Sequence, residues 1–231
     1  HENLLMDGQL FLQRDDSHLI VTVDINLKWR NSIQIEGPAS KREEAGKFVD
    51  GVMTTAEEQN FYLGMRIEFA KRLRFLRFNA KSWDSIILDA DTKKEIKANT
   101  IGFLGRRELW DKYRIPPKRG ILIAGEPGTG KTMICKALMA EADGITCITT
   151  NAYGLDRDEY ITELYELGQD FSTCIVFIED IDLIGQNRAE FGYHRGSSLL
   201  SLLAILDGVE EQKEVVTVAT TNCLDMLDKA L

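Results

Sequence analysis

The sequence lacks several features that mark whole classes of protein. No apolar stretch approaches the ~20 residues that a membrane helix needs, because the longest candidate, residues 199–206, is interrupted by Ser201. The first residues, His1-Glu2-Asn3, have neither the basic and apolar regions of a signal peptide nor a starting methionine. We therefore expect a chain without a membrane segment. We also expect it to be an excerpt of a longer sequence or to begin with a tag remnant.

Cysteine, histidine and positive charge are too sparse or too scattered for the sites they usually build. The four cysteines form no C-x-x-C pair, and three of them lie in apolar contexts. This pattern predicts reduced cysteines in the core of a cytoplasmic protein rather than disulfides or a metal site. The three histidines are too far apart for a metal cluster. A net charge of −9 argues against a dominant nucleic-acid surface.

The pattern of apolar residues divides the chain into two parts. From residue 8 to residue 78 it is mostly of period two, which predicts a small β-rich N-terminal domain at residues 1–80. The elements predicted there are a strand at 18–27, a hairpin partner at 29–35, a loop or short helix at 41–50, and two short strands within 60–78 broken near Gly64.

From Ser82 onward helical and strand patterns alternate, which predicts parallel β-α units. Nearly continuous apolar strands such as 174–178 agree, because a central parallel strand is buried on both faces. The pattern over residues 81–231 therefore predicts an α/β domain whose ligand binds beyond the carboxyl ends of the strands. The predicted elements are helices at 91–104, 106–113, 131–142, 158–168 and 197–206, and strands at 121–124, 145–149, 174–179 and 214–219.

A glycine-rich loop carries the strongest functional signal. Residues 125–132 follow the pattern G-x-x-x-x-G-K-T between a predicted buried strand and a predicted helix. Backbone N–H groups of such a loop can surround a triphosphate, and the helix start adds its dipole. Lys131 supplies a charge for the outer phosphates, and the hydroxyl of Thr132 can ligate Mg²⁺. The predicted nucleotide-binding set is Gly125, Glu126, Pro127, Gly128, Thr129, Gly130, Lys131, Thr132 and Met133.

Polar residues follow two further apolar strands. Glu179 and Asp180 come directly after a nearly continuous apolar run. After a phosphate-binding loop, one acid at such a strand end can hold Mg²⁺ through water, and a neighbouring carboxylate can polarise the attacking water. Asn222 follows the last predicted strand and could hydrogen-bond the γ-phosphate or that water. A lone asparagine in this position is also a common turn residue.

Together these motifs resemble the AAA ATPases of the wider AAA+ superfamily, over roughly residues 82–231. The run SWDSII at 82–87 resembles the family segment that lines the adenine pocket. Further similar runs lie at 115–122, 206–208, 219–222 and 227–231. By this resemblance residues 125–132 are the Walker A loop, Glu179 and Asp180 are the Walker B pair, and Asn222 is sensor 1.

The resemblance implies a homo-oligomeric ring, commonly a hexamer, with Mg²⁺ and ATP bound between subunits. It also implies that hydrolysis drives remodelling, unfolding or translocation of a protein partner. The family's arginine fingers and helical lid would follow Leu231. Because these fingers contribute orders of magnitude in rate, we expect this chain to bind nucleotide weakly and to hydrolyse it poorly.

The order of the two acids departs from the family pattern, which usually places aspartate before glutamate. Consecutive side chains of an extended strand point to opposite sides. We therefore expect Glu179 to reach the Mg²⁺ shell with Thr132, and Asp180 to activate the water from a shorter side chain. The hypothesis that follows is an ATPase in which Asp180, Glu179, Lys131 and Asn222 are catalytic and hydrolysis is slow.

Other functions stay open. The inverted acids are compatible with an ATP-gated assembly switch or scaffold that hydrolyses little. Basic and aromatic residues interleave around Arg74. They could bind RNA, single-stranded DNA or an acidic surface, but a strand with one solvent-exposed and one buried face is favoured. Tyr153 stands where family unfoldases carry a pore-loop aromatic and could equally be a turn residue. Residues 191–196 would fall on a second pore-side loop or on a plain solvent loop.

Overall fold

The computed structural model describes residues 7–14, 17–24, 32–59, 62–70, 73–77, 79–114, 118–151, 154–155, 157–171, 173–186 and 214–227. The chain divides into two compact units, His1–Phe61 and Tyr62–Leu231. The division therefore falls about 20 residues before the boundary predicted from the sequence. The helix predicted at 197–206, Tyr153 and residues 191–196 lie outside the described residues. Among the helices that are described, none is both long and apolar enough to cross a bilayer.

The first unit contains a small antiparallel sheet and one long helix. Strand β2 (Ser17–Asp24) pairs with both β1 (Asp7–Arg14) and β3 (Ser32–Glu36), so the predicted hairpin partner is present. Helix α1 (Arg42–Gln59) covers the segment for which a loop or short helix was expected. Glu43 and Glu44 lie in its first turn, where negative charge complements the helix dipole.

The second unit is built on a six-stranded sheet in the order β5-β4-β7-β8-β9-β6. Every neighbouring pair is parallel except β4 and β5, which confirms the α/β class. The strands are β4 (Arg66–Phe69), β5 (Leu73–Phe75), β6 (Lys118–Ala124), β7 (Thr146–Asn151), β8 (Cys174–Glu179) and β9 (Val215–Thr221). The two short strands predicted within 60–78 exist, but they belong to this sheet and not to the N-terminal unit.

Helices connect and cover the strands of the large sheet. They are α2 (Ala90–Asn99), α3 (Ile101–Leu104), α4 (Arg107–Tyr113), α5 (Lys131–Glu141), α6 (Asp158–Asp170) and α7 (Asp182–Gln186). The side chain of Asp89 caps α2 by accepting from the backbone N–H of Thr92 at 2.8 Å. Arg114, directly after α4, adopts a left-handed backbone that ends this helix before the prolines.

The two faces of the sheet pack against different helices. Phe177 and Val218 belong to the same buried cluster as Ile134 and Leu138 of α5. On the alternate positions, Tyr165 of α6 forms a buried hydrogen bond with Thr217 of β9 at 2.8 Å. Because side chains alternate across a strand, β8 and β9 are covered on both sides, as the apolar sequence of β8 predicts.

Candidate functional site

The loop from β6 to α5 has a backbone that needs glycine at two positions. Gly128 and Gly130 have φ values of +79° and +98°, in a region that side chains with a Cβ rarely adopt. A Cβ added at either residue would meet no atom within 4 Å, so the conformation and not crowding requires glycine. The loop therefore forms an open concave turn at the start of α5.

The ammonium group of Lys131 lies inside this turn. Its Nζ donates to the carbonyl oxygens of Gly125 at 2.6 Å and Glu126 at 2.8 Å, and the residue is only 8% exposed. The hydroxyl of Thr129 also donates to the carbonyl of Glu126, at 2.8 Å. These bonds fix one positive charge within the loop, close to the backbone N–H groups of the first turn of α5.

Thr132 joins the glycine-rich loop to the end of β8. Its hydroxyl donates to Oε2 of Glu179 at 2.8 Å, so the two side chains expected at Mg²⁺ lie together. A hydroxyl and a carboxylate are hard oxygen ligands that suit Mg²⁺, which keeps several waters and binds few protein groups. Among the described residues there is no cluster of three or more metal-binding side chains, and a Mg²⁺ shared with phosphates does not need one.

Asp180 follows the end of β8 and contacts the end of β9 and the residue after it. Its Oδ1 accepts from Nδ2 of Asn222 at 2.8 Å, and its backbone N–H donates to the hydroxyl of Thr220 at 3.1 Å. The strand ends at Glu179, and Asp180 has a left-handed φ of +54°. The two acids thus contact different partners, and the backbone turns between them and does not continue as the extended strand that was expected.

A third acid, Asp182, is one that sequence reasoning gave no role. It is 3% exposed, and its Oδ1 accepts from the hydroxyl of Thr221 at 3.0 Å and from the backbone N–H of Asn222 at 3.1 Å. The sequence does place an acid two residues after Asp180, and it places polar residues that could bond to this acid at the end of a second apolar strand. We call Asp180, Asp182, Thr220, Thr221 and Asn222 the acid network.

Two cavities adjoin these groups. The larger, about 610 Å³, lies between α2 and β6 and reaches Gly125, Thr129 and Lys131. Leu88 lines it, whereas residues 82–87, expected at the adenine pocket, are not among its lining residues. The smaller, about 390 Å³, lies beside Glu179 and Asp180 and is also lined by Lys136 of α5. The strand ends and the loop are therefore reached by open space on both sides.

The cysteines near the site are buried in its supporting core. Burial raises the pKa of the Cys135 thiol on α5 to about 12, and the charge of Glu179 adds to this effect. Burial likewise raises the pKa of Cys147 on β7 to about 12. All four cysteines are unpaired thiols, and only Cys223 is partly exposed. Cys135 and Cys147 therefore act as small apolar residues and not as nucleophiles.

Comparison with known proteins assigns the domain that carries this geometry. Residues 121–231 match the family model for "ATPase family associated with various cellular activities (AAA)". These residues belong to an AAA ATPase domain. The AAA domain shares 36% identity over 136 residues with a proteasome-activating nucleotidase of Methanospirillum hungatei, covering 54% of this chain and 33% of that protein.

The AAA domain is also similar to two proteins that are not proteasome-activating nucleotidases. The cell division cycle protein 48 homolog of Archaeoglobus fulgidus is 35% identical over 131 residues, covering 54% of this chain and 18% of that protein. The ATP-dependent zinc metalloprotease FtsH 3 of Sorangium cellulosum is 33% identical over 153 residues, covering 61% and 25%. The chain thus spans a third or less of the length of these three relatives.

Proposed function

We propose that this AAA protein binds Mg²⁺ and ATP at residues 125–133 and hydrolyses ATP to ADP and phosphate. The observation that carries the proposal is the meeting of two side-chain pairs at one edge of the sheet. Thr132 contacts Glu179, and Asp180 contacts Asn222. A loop that offers N–H groups and one ammonium fits a polyphosphate, and the two oxygen ligands beside it fit the cation that accompanies one.

Each side chain has a proposed role that follows from its position. Lys131 neutralises charge on the outer phosphates, while Thr132 and Glu179 hold Mg²⁺, which when bound offsets the charge that develops on the phosphoryl oxygens. Asp180 accepts a proton from the attacking water as general base. Asn222 holds the Asp180 carboxylate through its amide and, by the same group, contacts the water or the γ-phosphate.

We propose further that hydrolysis remodels or unfolds a protein partner in a homo-oligomeric ring, commonly a hexamer in this family. The names of the relatives support a protein substrate, since one is a proteasome-activating nucleotidase and another an ATP-dependent zinc metalloprotease. The four unpaired cysteines support a reducing, cytoplasmic location. Tyr153 as a pore-loop aromatic stays a prediction.

The decisive experiment replaces Asp180 by asparagine, which keeps size and hydrogen bonding but removes the base. We expect Asp180→Asn to bind an ATP analogue within about threefold of the unaltered chain and to release phosphate at least about 100-fold more slowly. Asp143→Asn, at an exposed turn residue, is the matched control and should change neither value. Unchanged phosphate release by Asp180→Asn would remove Asp180 from the mechanism.

A nucleotide-gated assembly switch is the second candidate, because Asp180 is one methylene shorter than the glutamate that the family usually has there. In that case ATP would change the mass of the particle while phosphate release stayed near the uncatalysed rate. Measuring both on the same sample, by light scattering and by a phosphate-release assay, separates a switch from a motor.

A further inference from the structure

The β4–β5 hairpin precedes the segment that matches the family model, yet it is part of the same sheet. The backbone N–H of Cys147 donates to the carbonyl of Met65 at 2.8 Å, and the hydroxyl of Thr146 donates to the carbonyl of Tyr62 at 2.9 Å. The ring of Tyr62 stacks on Phe171 with 4.4 Å between centroids. The hairpin is therefore bound to the AAA domain by directional contacts as well as by strand pairing.

Arg66, the first residue of β4, extends from this hairpin to the end of the phosphate-loop helix. Its Nε donates to the carbonyl of Met139 at 3.0 Å, and its Nη2 donates to the carbonyl of Ala142 at 3.0 Å. Nη2 also bonds Met139, and Nη1 bonds the carbonyl of Gly64 in the preceding turn. One guanidinium thus connects the turn before β4 to the C-terminal carbonyls of α5.

Helix α5 has no cation of its own at this end. The last carbonyls of a helix lack intrahelical partners and carry the negative end of the helix dipole, and the last turn of α5 contains no basic residue. Its final residue, Glu141, is acidic and pairs with Lys97 at 2.8 Å. The five donors of an arginine suit several carbonyls at once, so Arg66 satisfies charge and hydrogen bonding together.

The same helix begins with the residues that contact nucleotide in the proposed function. Lys131 and Thr132 form its first turn, and an 11-residue helix is about 16 Å long and stiff. Apolar contacts of Ile134 and Leu138 hold α5 against the sheet, but such contacts are non-directional. Hydrogen bonds from Arg66 are directional, and they fix the helix along its own axis.

We propose that Arg66 is a positioning residue of the nucleotide site and that it acts through α5 on the loop before it. The inference rests on the proposed function for its effect on ATP, and on the contacts alone for its effect on the loop. The segment preceding the family match is then a working part of the ATPase, because it sets where Lys131 and Thr132 stand relative to Glu179.

The test compares Arg66→Gln and Arg66→Lys with Arg74→Gln, which changes an exposed arginine of the same hairpin. The first measurement is amide hydrogen exchange of residues 128–134 in the full chain without nucleotide, normalised to exchange in β8. We expect exchange about tenfold faster in Arg66→Gln, about threefold faster in Arg66→Lys and unchanged in Arg74→Gln. If Arg66→Gln does not fold, Arg66→Lys carries the comparison.

The second measurement is the dissociation constant for a non-hydrolysable ATP analogue. We expect it to rise about tenfold in Arg66→Gln, with partial recovery in Arg66→Lys and less than twofold change in Arg74→Gln. A folded Arg66→Gln with a lower melting temperature but unchanged normalised exchange and affinity would overturn the proposal, since Arg66 would then be only structural. Failure of the unaltered chain to bind the analogue would reject the proposed function, while the exchange data would still decide whether Arg66 positions the loop.

Discussion

Strands β8 and β6 both end at the candidate site, yet their surroundings differ. β8 is buried from Cys174 to Ile178 and pairs with β7 on one side and β9 on the other. β6 pairs with β9 and, among the strands that the structure describes, with no other. Each of its residues is at least partly exposed, and several of them line the larger cavity.

This difference divides the site into a closed half and an open half. The acid network lies at the ends of β8 and β9, and a buried hydroxyl and part-buried amide groups hold its carboxylates in place. The glycine-rich loop follows β6, and its shape depends on left-handed glycines and on one lysine. Side chains that the folded protein already holds in place favour catalysis, whereas an open loop allows a ligand to enter. Substitutions in the two halves should therefore affect different measurements.

The largest effect is expected in the open half. Lys131→Ala removes the ammonium group that the loop carbonyls hold in place, and we expect nucleotide affinity to fall at least about 100-fold, about 2.7 kcal/mol. Titration with a fluorescent ATP analogue measures this change. Lys112→Ala, at an exposed lysine of α4, is the control and should bind like the unaltered chain. Tight binding by Lys131→Ala would contradict the proposed site.

The next effect is expected in the stability of the closed half. Asp182→Ala removes a buried acceptor and leaves the hydroxyl of Thr221 and the N–H of Asn222 without it. We expect the free energy of unfolding to fall by about 2 kcal/mol. Urea denaturation followed by tryptophan fluorescence measures it, and the exposed Asp143→Ala should lie within about 0.5 kcal/mol of the unaltered chain. Equal midpoints for the two variants would show that Asp182 does not stabilise the network.

A smaller effect is expected for Asn222, whose substitution should slow turnover and leave nucleotide affinity nearly unchanged. Asn222→Ala removes the amide that holds Asp180, and we expect phosphate release to slow about tenfold while analogue affinity stays within about threefold. A steady-state assay and an equilibrium titration on one preparation measure both values. If affinity fell as far as turnover did, Asn222 would belong to the binding half and the division would be wrong.

The smallest effect is expected in the reactivity of the cysteines, and measuring it needs no substitution. Because the pKa of Cys135 and of Cys147 is raised to about 12, both stay protonated and buried when the pH is brought from 7 to 9. We expect a thiol reagent to label Cys223 alone in the folded chain at either pH, and all four cysteines in denaturant. Rapid labelling of a second thiol at pH 9 would show that the core supporting the site opens easily.

The sequence was informative where a local pattern and a structural requirement coincide. Apolar runs at 174–178 and 215–219 were long enough to indicate buried strands, and the polar residues that follow them were expected to meet the loop. The contact between Thr132 and Glu179 agrees with that expectation. A parallel sheet brings its strand ends to one edge, so chain order alone restricts which groups can meet.

Pairing between distant strands determines the features that could not be predicted from the sequence. The strands at 66–69 and 73–75 are short and have the alternating pattern of a separate β-rich domain, but each paired residue of β4 meets a β7 residue 81 positions later in the chain. The contact of Arg66 with α5 depends on the same pairing. Asp182 was missed for a similar reason, because its donors lie on another strand and its burial is a property of the assembled fold.

The left-handed backbone of Asp180 bears on the inverted order of the two acids. Aspartate and asparagine adopt this region more readily than longer residues, since a short polar side chain can bond locally. Restoring the usual order with Glu179→Asp and Asp180→Glu would place a longer acid in a conformation that costs non-glycine residues about 1–3 kcal/mol. The turn therefore favours the shorter acid in second place, because a longer carboxylate there would carry this backbone cost.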